Sequence, residues 1–283
     1  MVPPPVSRVL FTIAFDGSRY AGWQRQSGVE TVQEHVERAL QAVYGQPVAV
    51  EGSGRTDAGV HAIAMAAHAD LPRQLATGSV LMAINTNLPD DIAVRSVRAV
   101  PADFHARFHA RGKRYVYRIA VSRTRPAIAR SYYHWVRRPL DLARMREAAA
   151  HLVGRHDFAS FATNPGYERK RGTVRTIHHL HLVQRPWGID LAVQGDGFLY
   201  NMVRAIAGTL VDVGGGRLTP SDVKRILDAC DRSEAGPTAP AAGLYLLRVL
   251  YDPCVIPADV ASRASWMFRG TSAAEPPDSN EPT

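Results

Sequence analysis

Asp57 and Arg55 stand two residues apart in Glu51-Gly52-Ser53-Gly54-Arg55-Thr56-Asp57-Ala58-Gly59-Val60-His61, among three glycines. Glycine reaches positive φ without a Cβ clash, so Gly52, Gly54 and Gly59 permit a sharp loop that presents a carboxylate and a guanidinium side by side. An aspartate with an ordinary pKa of about 3.9 is ionised at neutral pH and can act as a nucleophile. The same composition suits a strand-connecting turn in which Asp57 only accepts hydrogen bonds from backbone amides. At this level both readings stand.

A second candidate is Arg204, in a segment whose Met202, Val203, Ile206 and Leu210 define the buried side of a helix. An arginine there either runs its stem out to water or pairs with a carboxylate in a cleft, and Asp57 is the carboxylate nominated. A bidentate fork from the guanidinium would orient Asp57 and keep it ionised. Metal chemistry has less behind it. His179 and His181 share a strand face, but no third ligand follows at a supporting spacing, so no metal is expected. Neither Gly214-Gly215-Gly216 nor the Asp57 loop is followed by the Lys-Ser/Thr of a phosphate-cradling loop, and no nucleotide cofactor is expected. Gly52-Ser53-Gly54 joins strand to strand, unlike the strand-to-helix elbow of a serine hydrolase. Cys230 and Cys254 have neither disulfide-framework nor zinc spacing.

The elements that must position these residues read as follows. Val9, Phe11, Ile13 and Phe15 mark a first strand, and Asp16-Gly17-Ser18 ends it. Arg19 to Gln26 form a loop of aromatics, cations and amides, suited to stacking on bases or to covering a core edge. Thr31 and Glu34 fit a capping box before a helix with Val32, Val36, Leu40 and Val43, stopped by Gly45. Val48 to Val50 and Ala62 to Ala69 read as strands flanking the Asp57 loop. Ser79 caps a helix to about Asn87, and Ile92 to Val100 is a strand. In the second half, 113–121 is a strand with Tyr115, Tyr117, Ile119 and Val121 on one face and Arg114 and Arg118 on the other. A helix through Leu142, Met145, Ala149 and Leu152 follows, then strands Val174 to Val183 and Ile189 to Val193. The helix Phe198 to Val213, a short helix from Thr219-Pro220 and a closing strand Leu244 to Leu250 complete the chain.

Each half therefore reads β-α-β-β-α-β, setting aside the extra helix. This predicts an α+β fold of two tandem ferredoxin-like (split β-α-β) halves, with their sheets joined edge to edge into a central, mainly antiparallel sheet and a cleft between the halves. The expected divisions are a flexible N-terminus over 1–7, an N-terminal half carrying the Asp57 loop over 8–110, a C-terminal half over 111–255, and a tail over 256–283. From about residue 272 the tail is acidic, Pro-rich and expected to be disordered.

With 283 residues and 46% apolar content the chain can bury a sizeable core. No apolar run approaches a membrane span and no export signal is visible, so a cytoplasmic location is expected. The formal charge of +8 is concentrated: Arg95 to Arg138 hold twelve Arg or Lys against one acid, Asp103. A second cluster is Arg169-Lys170-Arg171 with Arg175. Aromatic residues interleave with these cations, a pattern that favours a nucleic acid over a membrane surface.

The segment Gly54 to His61 resembles the signature of the tRNA pseudouridine synthase A family. Phe15 to Gln24, Asn85 to Pro89, Phe104-His105-Ala106-Arg107 with Lys113-Arg114-Tyr115-Val116-Tyr117, Phe198 to Gly208 and Gly243-Leu244-Tyr245-Leu246 resemble further blocks of the family in the same order. The resemblance covers about residues 8 to 252. It implies a pseudouridine synthase-type fold and conversion of uridine to pseudouridine at positions 38 to 40 of the tRNA anticodon stem-loop, by a homodimer without metal or organic cofactor. By motif, Asp57 would be the catalytic aspartate, Tyr115 the active-site tyrosine and Arg204 the partner of Asp57. In that reaction Tyr115 is expected to stack on the uracil and, as a phenolate or through water, to take the C5 proton as general base. Arg55, Arg107, Arg114 and Tyr115 are expected to contact the RNA. Thr163 to Lys170 departs from the family pattern, which leaves contacts of that loop open. The competing expectation is a non-catalytic RNA-binding protein on the same fold.

Overall fold

The computed structural model describes residues 7–164, 166 and 172–253. The N-terminal residues 1–6, the basic run Arg169-Lys170-Arg171, Cys254 and the tail 256–283 lie outside the described residues. The elements in chain order are β1 (Ser7–Phe15), α1 (Val32–Tyr44), β2 (Glu51–Gly52), β3 (His61–Leu71), α2 (Thr77–Thr86), β4 (Ile92–Ala99), β5 (Gly112–Val121), β6 (His134–Val136), α3 (Leu142–Ala150), β7 (Gly154–Asp157), β8 (Val174–Arg185), β9 (Gly188–Gly195), α4 (Met202–Gly214), α5 (Pro220–Ala229) and β10 (Leu244–Leu250).

One sheet unites the strands, in the order β4-β1-β3-β10-β5-β9-β8-β7, with β2 beside β3 and β6 beside β5. The run β4-β1-β3-β2 and the run β10-β5-β9-β8 repeat the same split β-α-β order, so the expected α+β architecture is present. The seam is the edge of β3. At one end β2 pairs with it through Glu51↔His68 and Gly52↔Ala67. At the other β10 pairs with it in parallel through Tyr245↔His61 and Leu246↔Ala62. Because β2 stops after two residues, the rest of that edge is open for β10, and the chain leaves the sheet there as the loop Ser53–Val60. The Asp57 loop thus sits where the two units meet.

Packing follows the sequence periodicities. In α1 the buried Val32, Val36, Ala39 and Leu40 make the apolar stripe, and Gly45, at φ 73°, ends the helix in the left-handed conformation. Every residue of α4 except Arg204 is buried. At roughly 1.5–3 kcal/mol for each large apolar side chain removed from water, Met202, Ile206 and Leu210 fix α4 far more firmly than a partly exposed ion pair worth under about 1 kcal/mol. Arg204 is therefore held in place by core packing, and Asp57 meets it there.

Several local expectations need correction. Val48 and Val50 are buried without joining a ladder, and only Glu51 and Gly52 reach the edge of β3. Ser79 lies inside α2, whose cap position is Ala76. The helix carrying Arg204 starts at Met202, not Phe198, because Asn201 turns into the left-handed region at φ 62°. Thr31 occupies the cap position of α1 but makes no capping bond with its side chain. The short strands β6 and β7 were not anticipated.

Candidate active site

The Asp57 loop is braced by the segment that follows β1. Trp23 N–H donates to the Thr56 carbonyl at 3.2 Å, and Gly59 N–H donates to the Tyr20 carbonyl at 3.3 Å. Gly22, at φ 96°, makes this approach possible, since a Cβ there would stand 2.3 Å from the Thr56 oxygen. Within the loop, Val60 N–H donates to the Asp57 carbonyl at 3.1 Å. Of the three loop glycines only Gly59 has a positive φ, 77°. At the base of the loop the His61 ring stacks on Tyr245 of β10 at 4.7 Å, which ties the loop to the seam. Burial, the largest influence on His61, lowers its pKa. The neutral ring accepts the Gly17 N–H at 3.1 Å and faces the Ser131 carbonyl with its other nitrogen at 2.9 Å.

Asp57 accepts a hydrogen bond from Arg204 Nη1 at 3.3 Å, across 147 residues of sequence. Among the described residues this is the carboxylate's one hydrogen bond, so Asp57 does not serve the loop's own amides. The contact is single, not the bidentate fork expected. The Arg204 guanidinium is shared with other acceptors: Nε donates to the Ala239 carbonyl at 2.7 Å, and the same Nη1 also donates to Asn201 Oδ1 at 2.9 Å. Asn201 in turn donates to Thr163 Oγ1 at 3.0 Å. Asn201 was not singled out from sequence, although its place three residues before Arg204 fits a capping role.

Burial raises the Asp57 pKa above its ordinary value, and the charge and hydrogen bond of Arg204 offset this only in part. The carboxylate is thus less hydrated and more basic than a free one, while Arg204 acts in the expected direction and favours its ionised form. Tyr115 is buried on β5, its ring edge-on to Phe198 at 5.2 Å. Burial and then the charge of Asp57 push its pKa up from the ordinary 10.0. At neutral pH it is a phenol, so the expected phenolate role has no support, and its ring is available as a wall for a planar base.

The remaining expected residues divide. Arg55 reaches the rim, donating to Gln24 Oε1 at 3.3 Å. Arg107 lies exposed against the Phe108 ring at 5.9 Å. Arg114 does not join them: the alternation of β5 puts it on the opposite face from Tyr115, where it donates twice to Gln194 Oε1 at 2.9 and 2.7 Å. Lys113, in contrast, shares the face of Tyr115, and sequence reasoning had counted it only as one cation of a cluster.

His179 and His181 stack on one another at 5.9 Å, and no third ligand joins them among the described residues. A different trio does converge, Glu51, His68 and His105. His105 Nδ1 accepts the Arg107 N–H at 3.1 Å, and His68 Nδ1 accepts the Ala106 N–H at 3.3 Å. A metal-bound histidine donates from its second nitrogen, whereas these accept. Their Nε2 atoms accordingly carry protons, and His105 directs its own to Glu51 at 3.0 Å. The trio is a hydrogen-bonded brace between β2, β3 and the 104–109 turn, not a metal centre.

A family profile described as tRNA pseudouridine synthase matches residues 12–109 and 148–252. The chain belongs to that family. One matched stretch carries Asp57 and the other Arg204, while Lys113 and Tyr115 fall between them. The tRNA pseudouridine synthase A of Pseudomonas aeruginosa is 46% identical over 247 residues, which span 87% of this chain and 86% of the relative. That of Bacillus licheniformis is 43% identical over 247 residues, 87% of this chain and 99% of the relative. By family the chain is an isomerase acting on uridine in tRNA.

Proposed function

We propose that the chain converts uridine to pseudouridine at positions 38, 39 and 40 of the tRNA anticodon stem-loop, with Asp57 as nucleophile. The observation that carries this reading is a partly buried carboxylate, anchored through one oxygen by Arg204, with no hydrogen bond to its other oxygen among the described residues and a tyrosine ring close by. The reaction breaks the uracil N1–C1′ bond, turns the base and forms C5–C1′, so the proton of C5 is lost and N1 gains one. Asp57 starts it by attack on C1′ or on C6, and both routes need an ionised carboxylate in a pocket that retains the detached base. A paired or loop-bound uridine must be flipped out to reach that pocket, where Tyr115 offers a face for the ring. Arg55 and Arg107 at the rim supply phosphate contacts.

The three anticodon-arm positions and the homodimer rest on the resemblance alone, and a cytoplasmic location is proposed with them. Among the described residues no helix is long and apolar enough to cross a membrane. Release of tritium from tRNA labelled at uridine C5, with pseudouridine mapped on the product, tests the reaction and its positions together. Release confined to 38–40 is the expected result. No release, or salt-sensitive tRNA binding with unchanged nucleosides, would make the chain a binding protein instead. Sedimentation of the purified protein tests the dimer.

A further inference from the structure

Lys113 lies two positions before Tyr115 on β5, so both side chains leave the strand on the same face. Its ammonium reaches the catalytic loop: a Cβ at Gly54 would stand 2.3 Å from Nζ. No described residue gives this ammonium a hydrogen bond or an ion pair. Burial, and then the like charge of Arg107, lower its pKa from 10.5 to about 8. Two other cations beside the loop have acceptors: Arg204 has Asp57, Asn201 and Ala239, and Arg55 has Gln24. Lys113 alone of these carries a desolvated charge with no acceptor, beside a second cation.

A desolvated charge without a partner costs stability even where the residue is only half-buried, as Lys113 is, and removing it relieves that cost. Its position on the cleft face, against the loop that holds the nucleophile, suits a partner that arrives with the substrate. The partner has to be a compact anion presenting oxygen acceptors, and every nucleotide of an RNA strand brings one. We propose that Lys113 receives a phosphodiester group adjoining the target uridine, pairing with it beside Gly54 and so setting how deep the nucleotide enters toward Asp57. This rests on the tRNA reading above. Lys113 is then a positioning residue: it holds the strand and takes no part in bond making.

The test compares wild type with Lys113→Gln, Lys113→Met and Lys113→Arg, using tRNA transcripts over a range of salt and pH. For Lys113→Gln, KM and Kd should rise roughly tenfold with kcat within a few-fold. The slope of log Kd against log salt should fall by about 0.7–0.9, the contribution of one phosphate contact, and Lys113→Arg should restore it. Wild-type affinity should weaken as pH rises through about 8, where the ammonium loses its proton, while Lys113→Arg stays level. Because the folded pKa lies below the unfolded one, the stability penalty is full below about pH 8 and fades toward 10.5. Lys113→Met should therefore melt above wild type at pH 7. An unchanged salt slope, a loss confined to kcat, or a lower melting temperature for Lys113→Met would overturn the assignment. A wild type that binds with the full slope but makes no pseudouridine would overturn the proposed reaction and leave the phosphate contact standing.

Discussion

Two carboxylate–arginine pairs lie on opposite faces of the sheet and are built differently. On the face away from α4, Asp190 of β9 is fully buried between Arg185, at 2.8 Å, and Arg118, at 3.6 Å. The Arg118 guanidinium also lies against the rings of Tyr133, Trp187 and Tyr245 at 4.8, 5.0 and 5.8 Å. At the cleft, Asp57 has one arginine at 3.3 Å and keeps part of its surface in reach of solvent. The first pair is enclosed from several sides and holds the sheet. The second is left partly uncompensated, which is what a nucleophile requires, since every further donor on the carboxylate would weaken its attack.

Replacing the two aspartates should separate these roles. Asp57→Asn should reduce tritium release by at least about 10⁴-fold, as expected for loss of the nucleophile. Its folded pKa is raised, so between the ordinary 3.8 and that higher value the folded state binds the extra proton and stability falls as pH rises. Above that window the charged carboxylate is a net cost, and Asp57→Asn should unfold in urea at or above the wild-type midpoint. Asp190→Asn should instead lose about 3 kcal/mol, the scale for removing one partner of a buried ion pair, with turnover per folded molecule retained. A large stability loss in Asp57→Asn would make the cleft pair structural after all.

Arg204 sharpens the same contrast. It lowers the Asp57 pKa against the effect of burial, so Arg204→Gln should raise that pKa further and move the acid limb of the kcat/KM profile to higher pH. Turnover at neutral pH should fall about a hundredfold, on the scale of one lost charged donor at a reacting centre. An unshifted acid limb would show that Asp57 is not the group that titrates.

The loop glycines, which the sequence presents as equivalent, should also part. Gly59 has φ 77°, so Gly59→Ala should cost about 1–2 kcal/mol in urea unfolding, whatever space surrounds it. Gly54 has no such backbone demand, and an added Cβ meets only the movable end of Lys113. Gly54→Ala should change stability by under about 0.5 kcal/mol while weakening tRNA binding through the displaced ammonium. Equal stability losses would refute the division.

What could be read in advance follows from the range of the interactions. Asp57, Tyr115 and Arg204 stand out locally, by glycine-rich context, strand alternation and a cation on a helix rich in core residues. The β5 alternation also places Arg114 opposite Tyr115, so its assignment to the substrate ran against a pattern already visible. Lys113 could not be distinguished, because its lack of an acceptor depends on Gly54 and Arg107, which reach it only in three dimensions. The two-residue β2 was likewise set by tertiary pairing, which overrides local propensity.

The helix caps show the same limit at its smallest scale. Thr31 with Glu34 and Thr219 with Asp222 have the same spacing of hydroxyl and acid. Only the second closes: Thr219 N–H donates to Asp222 Oδ2 at 2.8 Å, and its hydroxyl accepts the Asp222 N–H at 3.3 Å. Thr31 is fully buried with no hydrogen-bond partner for its hydroxyl, and Glu34 turns to Arg38 at 2.7 Å. Thr219→Val should therefore cost about 1 kcal/mol, the usual worth of a cap. Thr31→Val removes a buried, unsatisfied hydroxyl at nearly constant shape and should leave stability unchanged or raise it by up to about 1 kcal/mol. Urea unfolding of the two variants checks this, and a loss at Thr31 equal to that at Thr219 would restore the capping box that the sequence suggests there.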